Sequence, residues 1–208
     1  MQVKKDKVKE KILQVAKKEF RNQGFLNTSM RTIAEKSEVT TSNIYNYFEN
    51  KNSLFREIID PAISKIDQTL LFLEKESGSW QPTLNIDQLK KQIIKLVKFI
   101  DTYREELDLI FFKSWGSEIP DIKDRYIERF TEYYDTLFTK LKKDKTTNLS
   151  PFFIHNMCSF YANIVTEFIM HKTSYEDMLQ YSNEILIFAY SGHRSVLQQN
   201  SERLTTIE

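Results

Sequence analysis

The segment that decides the fold runs from Thr28 to Lys51 and reads TSMRTIAEKSEVTTSNIYNYFENK. Its apolar residues repeat at helical spacing in two short blocks, with polar residues between them. Thr28 and Ser29 offer a hydroxyl that can cap a helix ending near Ser37, and a second helix begins at Thr40. Because helices this short are unstable alone, they must share a small core with their neighbours. The segment therefore predicts two short helices joined by a tight turn.

Amphipathic helices are also predicted on both sides of this segment. Apolar residues from Val8 to Phe20 recur three and four apart, which predicts a helix over residues 5–23 that ends at Gly24. A fourth helix starts near Lys51, and five more are predicted at about 86–101, 104–116, 120–142, 150–171 and 174–198. The scarcity of turn residues, with four Gly and four Pro, agrees with long helices. The predicted fold class is all-α with about nine helices.

Composition excludes several classes of protein. The single cysteine, Cys158, cannot form an internal disulfide or a thiolate cluster for zinc. No stretch approaches the roughly 18–20 apolar residues of a membrane span, and no signal peptide is visible. His155, His171 and His193 do not have the spacing of a metal site. We therefore expect a cytoplasmic protein without membrane contact, metal or cofactor.

The net charge of +1 hides an uneven distribution of charge. Residues 1–60 carry 12 Lys and Arg against eight Asp and Glu, a net +4, and the remainder is net −3. The first helix is the most basic element of the chain. A basic end indicates either contact with a polyanion or an ordinary solvated helix face.

The outward face of the helix that begins at Thr40 has the chemistry of a DNA-reading surface. Its side chains are small, polar and uncharged: Thr40, Thr41, Ser42, Asn43 and Asn46. Such groups can reach base edges or phosphates in the major groove. Tyr45 and Tyr47 bring hydroxyls near the DNA backbone, and Lys51 at the start of a helix is suited to a phosphate. The alternative is an ordinary polar surface.

These residues resemble the signature of the TetR family of transcriptional regulators. The resemblance covers about residues 6–66, with the motif at about 29–48, and includes Ile44-Tyr45-Asn46-Tyr47-Phe48, Lys51 and Leu54-Phe55. It implies a homodimer on a palindromic operator in double-stranded DNA. It also implies DNA contacts from Thr28, Ser29, Thr40 to Asn43, Tyr45 to Tyr47, and Lys51. The implied domains are a helix-turn-helix domain at 1–50 and a helical ligand-binding and dimerisation domain at 51–208.

Glu38 departs from the family pattern. The resemblance implies glycine at this turn position, because the backbone there is left-handed. A residue with a Cβ atom pays an energetic cost in that conformation. A carboxylate near phosphates is also mildly repulsive. We therefore expect Glu38 to affect the stability of the turn and the affinity for DNA.

The second domain holds most of the aromatic residues. Most of them must form the core, and a minority can line a cavity for a hydrophobic or aromatic effector. By analogy with the family, the candidate lining residues are Tyr103, Phe111, Trp115, Tyr126, Phe130, Tyr133, Phe160 and Tyr161.

The last two predicted helices are apolar on more than one face. One face can serve the core of the chain and another a partner, as in the family's dimer bundle. The candidate dimerisation residues are Phe160, Ile164, Phe168, Ile185, Phe188 and Ala189. A buried hairpin within a monomer is the alternative.

The sequence thus predicts a repressor that leaves its operator when a small molecule binds. Two alternatives stay open. One is a DNA-binding protein of the same kind without a small-molecule effector. The other is an all-helical enzyme, although no nucleophile elbow, phosphate loop or Asp-rich metal pair occurs in the sequence.

Overall fold

The structure is a computed structural model that describes residues 2–76, 86–141 and 149–205. Over these ranges it is all-α, which confirms the predicted fold class. The helices are α1 (Gln2–Asn27), α2 (Met30–Lys36), α3 (Thr41–Tyr45), α4 (Lys51–Glu76), α5 (Ile86–Thr102), α6 (Arg104–Asp108), α7 (Ile122–Leu141), α8 (Pro151–Met170) and α9 (Tyr175–Thr205). None of the helices in these ranges is long and apolar enough to cross a membrane.

The chain divides into two compact units, and the division falls within α4. Unit 1 comprises residues 1–68 and 103–122, and unit 2 comprises residues 69–102 and 123–208. Unit 1 is therefore larger than the predicted domain at 1–50, because it also includes α4 as far as residue 68 and a later segment. The functional division at residues 50 and 51 stays a prediction.

The core of unit 1 joins α1 to the short helices that follow it. Phe20, Ile33 and Ile44 are fully buried, so each of α1, α2 and α3 contributes to one cluster. The predicted end of α1 at Gly24 is a kink rather than a stop. The backbone there has a φ of 77°, and one more helical turn leads to Asn27. A φ of this sign favours glycine, which explains the residue.

The predicted helix at 104–116 is in fact two elements. After α6, the backbone continues as a π-helical turn, Leu109–Lys113, and the helix ends there. Leu107, Leu109 and Ile110 are buried, and the π-helical turn packs against α1. This burial explains why the segment belongs to unit 1 and not to the unit of its sequence neighbours.

Unit 2 contains α5, α8, α9 and nearly all of α7. α5 packs against α9. A second cluster buries Ile127, Leu149, Ile154 and Cys158 beneath aromatic side chains of α7 and α8. Ser150 caps α8 by accepting a hydrogen bond from the amide of Phe153 at 3.1 Å. α9 reaches Thr205, beyond its predicted end at 198.

Candidate nucleic-acid interface

A side-chain hydroxyl caps the N-terminus of each of the two short helices in residues 28–51. The Ser29 side chain accepts from the amide of Thr32 at 3.0 Å, which confirms its capping role. The Thr40 side chain accepts from the amide of Asn43 at 3.2 Å. Between the helices, the amide of Val39 donates to the Ala34 carbonyl at 3.0 Å. The predicted helix–turn–helix is therefore present, with a cap at the start of each helix.

α3 has one buried side and one open side. Ile44 is fully buried, and it anchors the helix to the core of unit 1. The open side presents hydroxyl, amide and phenol groups: Thr40, Ser42, Tyr45 and Asn46 are exposed, and Thr41, Asn43 and Tyr47 are half-buried. The structure thus brings these seven predicted contact residues together around one short helix.

Thr28 does not belong to this surface. Only 4% of the residue is exposed, and its hydroxyl donates to the carbonyl of Gly24 at 2.8 Å. A second acceptor, the carbonyl of Glu19, lies 3.3 Å away. Because the hydroxyl satisfies carbonyls at the end of α1, it is not free for a phosphate. The role that the resemblance implied for Thr28 is therefore wrong for its side chain.

Lys51 is turned inward as well. Its Nζ donates to the carbonyls of Phe25 at 2.7 Å and Thr28 at 2.9 Å, with the Leu26 carbonyl at 3.4 Å. Burial lowers the pKa of the Lys51 ammonium. In this geometry its donors have partners within unit 1, and the predicted phosphate contact of Lys51 stays a prediction.

The turn position Glu38 has the predicted left-handed backbone, with a φ of 56°. Its carboxylate forms an ion pair with Lys11. The hydrogen bond from Lys11, and then the positive charge, lower the pKa of the Glu38 carboxyl. This pairing joins the turn to α1, a contact that the sequence alone did not indicate.

Much of the positive charge of α1 is paired within unit 1. Lys9 lies 2.6 Å from a Glu57 oxygen, and Lys17 lies 2.7 Å and 2.8 Å from Glu105 and Glu106. Arg21 also pairs with Glu105. The basic character of α1 is therefore a weaker sign of polyanion contact than the sequence suggested. Arg31, exposed on α2, is a cation that the sequence analysis overlooked.

The predicted pocket aromatics are divided between the two units. Tyr103, Phe111 and Trp115 belong to unit 1, and the remaining five to unit 2. Trp115 is 74% exposed, so its predicted role in lining a cavity is wrong for this structure. Phe130 packs against the buried cluster around Cys158. That cluster also includes Tyr134, which the prediction left out and whose pKa is raised mainly by burial.

Exposed apolar side chains collect on α8 and α9. Phe188 is 73% exposed, and Phe160 and Tyr161 are exposed to a lesser extent. Phe168 and Ala189, both predicted at a dimer interface, are instead 93% buried in the core of the single chain, since only 7% of each is exposed. Ile164 and Ile185 are half-buried. Phe152, Met170 and Ile187 are further exposed apolar residues that the prediction left out.

Within the parts of the chain that the structure describes, no three His, Cys, Asp or Glu residues lie close enough together to hold a metal ion.

The geometry defines a helix-turn-helix protein with an all-helical second unit, and comparisons with known proteins agree. The profile of the family described as bacterial regulatory proteins, tetR family, matches residues 12–58. The HTH-type transcriptional regulator QacR of Staphylococcus aureus is 32% identical over 142 residues, 68% of this chain and 63% of QacR. The uncharacterized HTH-type transcriptional regulator YfiR of Bacillus subtilis is 35% identical over 61% of this chain and 63% of YfiR.

Solved structures share the fold. NalD of Pseudomonas aeruginosa, the secondary repressor of the MexAB-OprM multidrug efflux pump, superposes with a TM-score of 0.61 at 17% identity, over 88% of this chain and 96% of NalD. A transcriptional regulator from Aquifex aeolicus gives a TM-score of 0.58 at 17% identity, over 88% and 99% of the two chains. The chain belongs to the TetR family of transcriptional regulators.

Proposed function

We propose that the protein is a transcriptional repressor that binds a palindromic operator as a homodimer and leaves it when a small hydrophobic or aromatic ligand binds. The observation that carries the proposal is the open side of α3. Its exposed groups are uncharged hydrogen-bonding side chains, held on a helix that Ile44 fixes to the core. Such a helix fits the major groove. Ser29 caps the start of α2 and Thr40 caps the start of α3, so both helices of the helix–turn–helix have a defined beginning.

The side chains of this surface suit both parts of DNA recognition. Asn43 and Asn46 can make paired hydrogen bonds to adenine, and the methyl group of Thr41 can contact a thymine methyl. Ser29, Tyr47 and Arg31 are placed around the same helix–turn–helix and suit phosphate oxygens. We leave Thr28 out of the proposed contact set, since its buried hydroxyl bonds within unit 1. The phosphate contact of Lys51 stays part of the proposal.

Dimerisation is proposed through α8 and α9. A large side chain such as Phe188 exposed beside Ile187 is costly in water, and burial against a second copy removes that cost. In such a dimer two α3 helices about 34 Å apart would meet successive major grooves. We place this dimer in the cytoplasm.

Release by a ligand requires two states with different affinity for DNA. We propose α4 as the lever, because its residues belong to both units. A ligand that binds unit 2 better in one state would shift α4, and the two α3 helices would no longer match the spacing of the grooves.

DNA binding is tested by selecting duplexes from a random pool with the purified protein. Repeated enrichment of an inverted repeat is the expected result, and the selected duplex should also match a site near the gene. Failure to enrich any sequence, together with no binding to DNA flanking the gene, would rule out the proposed repressor function.

The effector is tested separately, by titrating hydrophobic and aromatic compounds into the complex with the selected duplex. Release by one class of compound supports the full proposal. If none releases the duplex, the alternative of a DNA-binding protein without a small-molecule effector is favoured.

A further inference from the structure

The ion pair between Lys11 of α1 and Glu38 of the turn lies beside the start of α3. Glu38 is two positions before Thr40, whose side chain caps α3. The Glu38 carboxylate accepts a hydrogen bond from the ammonium of Lys11, a residue 27 positions away in the chain. The pair therefore brings a cation of α1 to the edge of the surface that is proposed to meet DNA.

The reading helix supplies no positive charge of its own. Residues 39–48 contain neither Lys nor Arg. The attraction of a protein to DNA of any sequence comes from Lys and Arg side chains that neutralise phosphates and release counterions. The cations that meet phosphates around α3 must therefore come from neighbouring elements.

Lys11 is placed differently from the other paired cations of α1. Lys9, Lys17 and Arg21 form ion pairs with carboxylates of α4 and α6. Lys11 instead pairs with the turn between α2 and α3. Among these four cations, Lys11 is therefore the one whose partner adjoins the reading helix.

The pair is open to exchange. The side chain of Lys11 is 46% exposed and that of Glu38 is 81% exposed. Ion pairs with this exposure are weak, because water screens the two charges. Duplex DNA carries one negative charge for about every 1.7 Å of its axis, a far denser array than one carboxylate. The Lys11 ammonium can therefore leave Glu38 for a phosphate oxygen.

Glu38 occupies its position at a conformational cost. Its backbone φ of 56° lies in the left-handed region, where a Cβ atom is disfavoured and glycine is not. Because most of its side chain is exposed, the residue gains little from packing. Its charge is therefore the property that acts at this position.

We propose that Lys11 is a phosphate-binding residue of the DNA interface and that Glu38 restrains it by holding its ammonium in the protein without DNA. Binding to a duplex exchanges the carboxylate for a phosphate oxygen. Glu38 thus lowers the affinity for DNA, chiefly by competing for Lys11. The inference rests on the proposed function, because it needs a duplex at the open side of α3.

The phosphate contact is tested by the salt dependence of DNA binding in Lys11→Met. The control is Lys18→Met, which removes an exposed lysine about two turns further along α1. Fluorescence anisotropy measures binding of the full-length protein to the selected duplex and to a random duplex of equal length. We expect Lys11→Met to reduce the slope of log K against log salt by about 0.9 for each subunit, on both duplexes. Lys18→Met should keep the slope of the parent protein.

The restraint is tested by Glu38→Gln, which keeps the length of the side chain and removes its charge. We expect its affinity for the selected duplex to rise about fivefold at low salt. The control is Glu35→Gln, an exposed carboxylate of α2 three positions earlier, and its affinity should rise less than about twofold. In the double variant with Lys11→Met, the effect of Glu38→Gln should shrink below about twofold, because no ammonium is left to compete for.

Thermal unfolding without DNA accompanies these measurements. All four substituted side chains are exposed, so each Tm should stay within about 3 °C of the parent value. Binding is measured well below the Tm of every variant. A change in salt slope then reports a change in phosphate contacts and not a loss of the folded state.

Three results would overturn the inference. The first is a salt slope of Lys11→Met equal to that of the parent protein, since no phosphate contact is then lost. The second is a Glu38→Gln protein that binds DNA no more tightly than the parent. The third is an equal rise in affinity with and without Lys11, which means that Glu38 repels phosphates directly. A parent protein that binds neither duplex rejects the proposed function itself, and the inference falls with it.

Discussion

The open side of α3 and the exposed apolar residues of α8 and α9 are both accessible, but their chemistry is opposite. Around α3 the exposed groups are hydroxyls, amides and a phenol on a helix fixed by one buried isoleucine. On α8 and α9 the exposed groups include Phe152, Phe160, Ile187 and Phe188. A polar surface that can read hydrogen bonds and apolar residues that gain from burial suit the two proposed partners, DNA and a second copy of the chain.

The largest effect on stability is expected when the buried side chain that holds α3 to the core is shortened. Replacing the fully buried Ile44 with Ala should cost about 2–5 kcal/mol of unfolding free energy, because the substitution loses apolar burial and leaves a cavity. Chemical denaturation measures this loss. Ser42→Ala, on the open side of the same helix, is the control and should change stability by less than about 0.5 kcal/mol. Equal losses in the two variants would contradict the two-sided description of α3.

The apolar surface is tested by Phe188→Ala. We expect the dissociation constant of the dimer to rise by about 30-fold or more, corresponding to about 2 kcal/mol for a central aromatic residue. Analytical ultracentrifugation over a range of concentrations measures it. Tyr45→Ala removes an exposed aromatic residue from α3 and should leave dimerisation unchanged. A Phe188→Ala protein that dimerises as tightly as the parent would place the interface elsewhere.

The polar surface is tested by Asn46→Ala. Loss of a paired hydrogen bond to a base should weaken binding to the selected duplex by about 1–3 kcal/mol and relax the preference at one base position. Fluorescence anisotropy measures the affinity, and the Tm should stay within about 1 °C. Asn156→Ala, an exposed asparagine of α8, is the matched control and should not affect DNA binding. A similar loss in both variants would argue against base contact by Asn46.

The smallest effect concerns pH and the ion pairs of unit 1. The hydrogen bond from Lys17 lowers the pKa of the Glu105 carboxyl below its ordinary value of 4.5, with added attraction from Lys17 and Arg21. A lowered folded pKa means that the stabilisation is present above pH 4.5 and is lost as the pH falls through the folded value. Glu105→Gln should therefore lower the Tm slightly at pH 7 and by progressively less as the pH falls below 4.5, since partly exposed pairs contribute little. A Tm difference that grows on acidification would contradict this assignment.

Local patterns predicted most of the helices because each one has a local cause. The Ser29 hydroxyl starts α2, and Ser150 starts α8, so both positions were readable from the sequence. The left-handed backbone of Glu38 was also expected, from the family resemblance. The π-helical turn at Leu109–Lys113 was not predictable, since its residues have ordinary helical periodicity.

Side-chain direction was the main source of error. Thr28 has the residue type of a phosphate ligand, but it is buried and its hydroxyl bonds to the carbonyl of Gly24 in α1. Phe168 and Phe188 are the same residue type on neighbouring helices, and only the packing of unit 2 makes one buried and the other exposed. Trp115 was assigned to a cavity because it is aromatic, yet it is exposed.

The sequence by itself determined that the chain is helical, where most helices begin and end, and that residues 28–51 form a helix–turn–helix of the TetR type. Periodicity and caps decide these features, and both act between residues a few positions apart. Only the tertiary structure decided that residues 103–122 join the N-terminal unit, that lysines of α1 pair with carboxylates, and that Lys51 donates to the carbonyls of Phe25 and Thr28. These features depend on contacts between residues far apart in the chain, which no local pattern encodes.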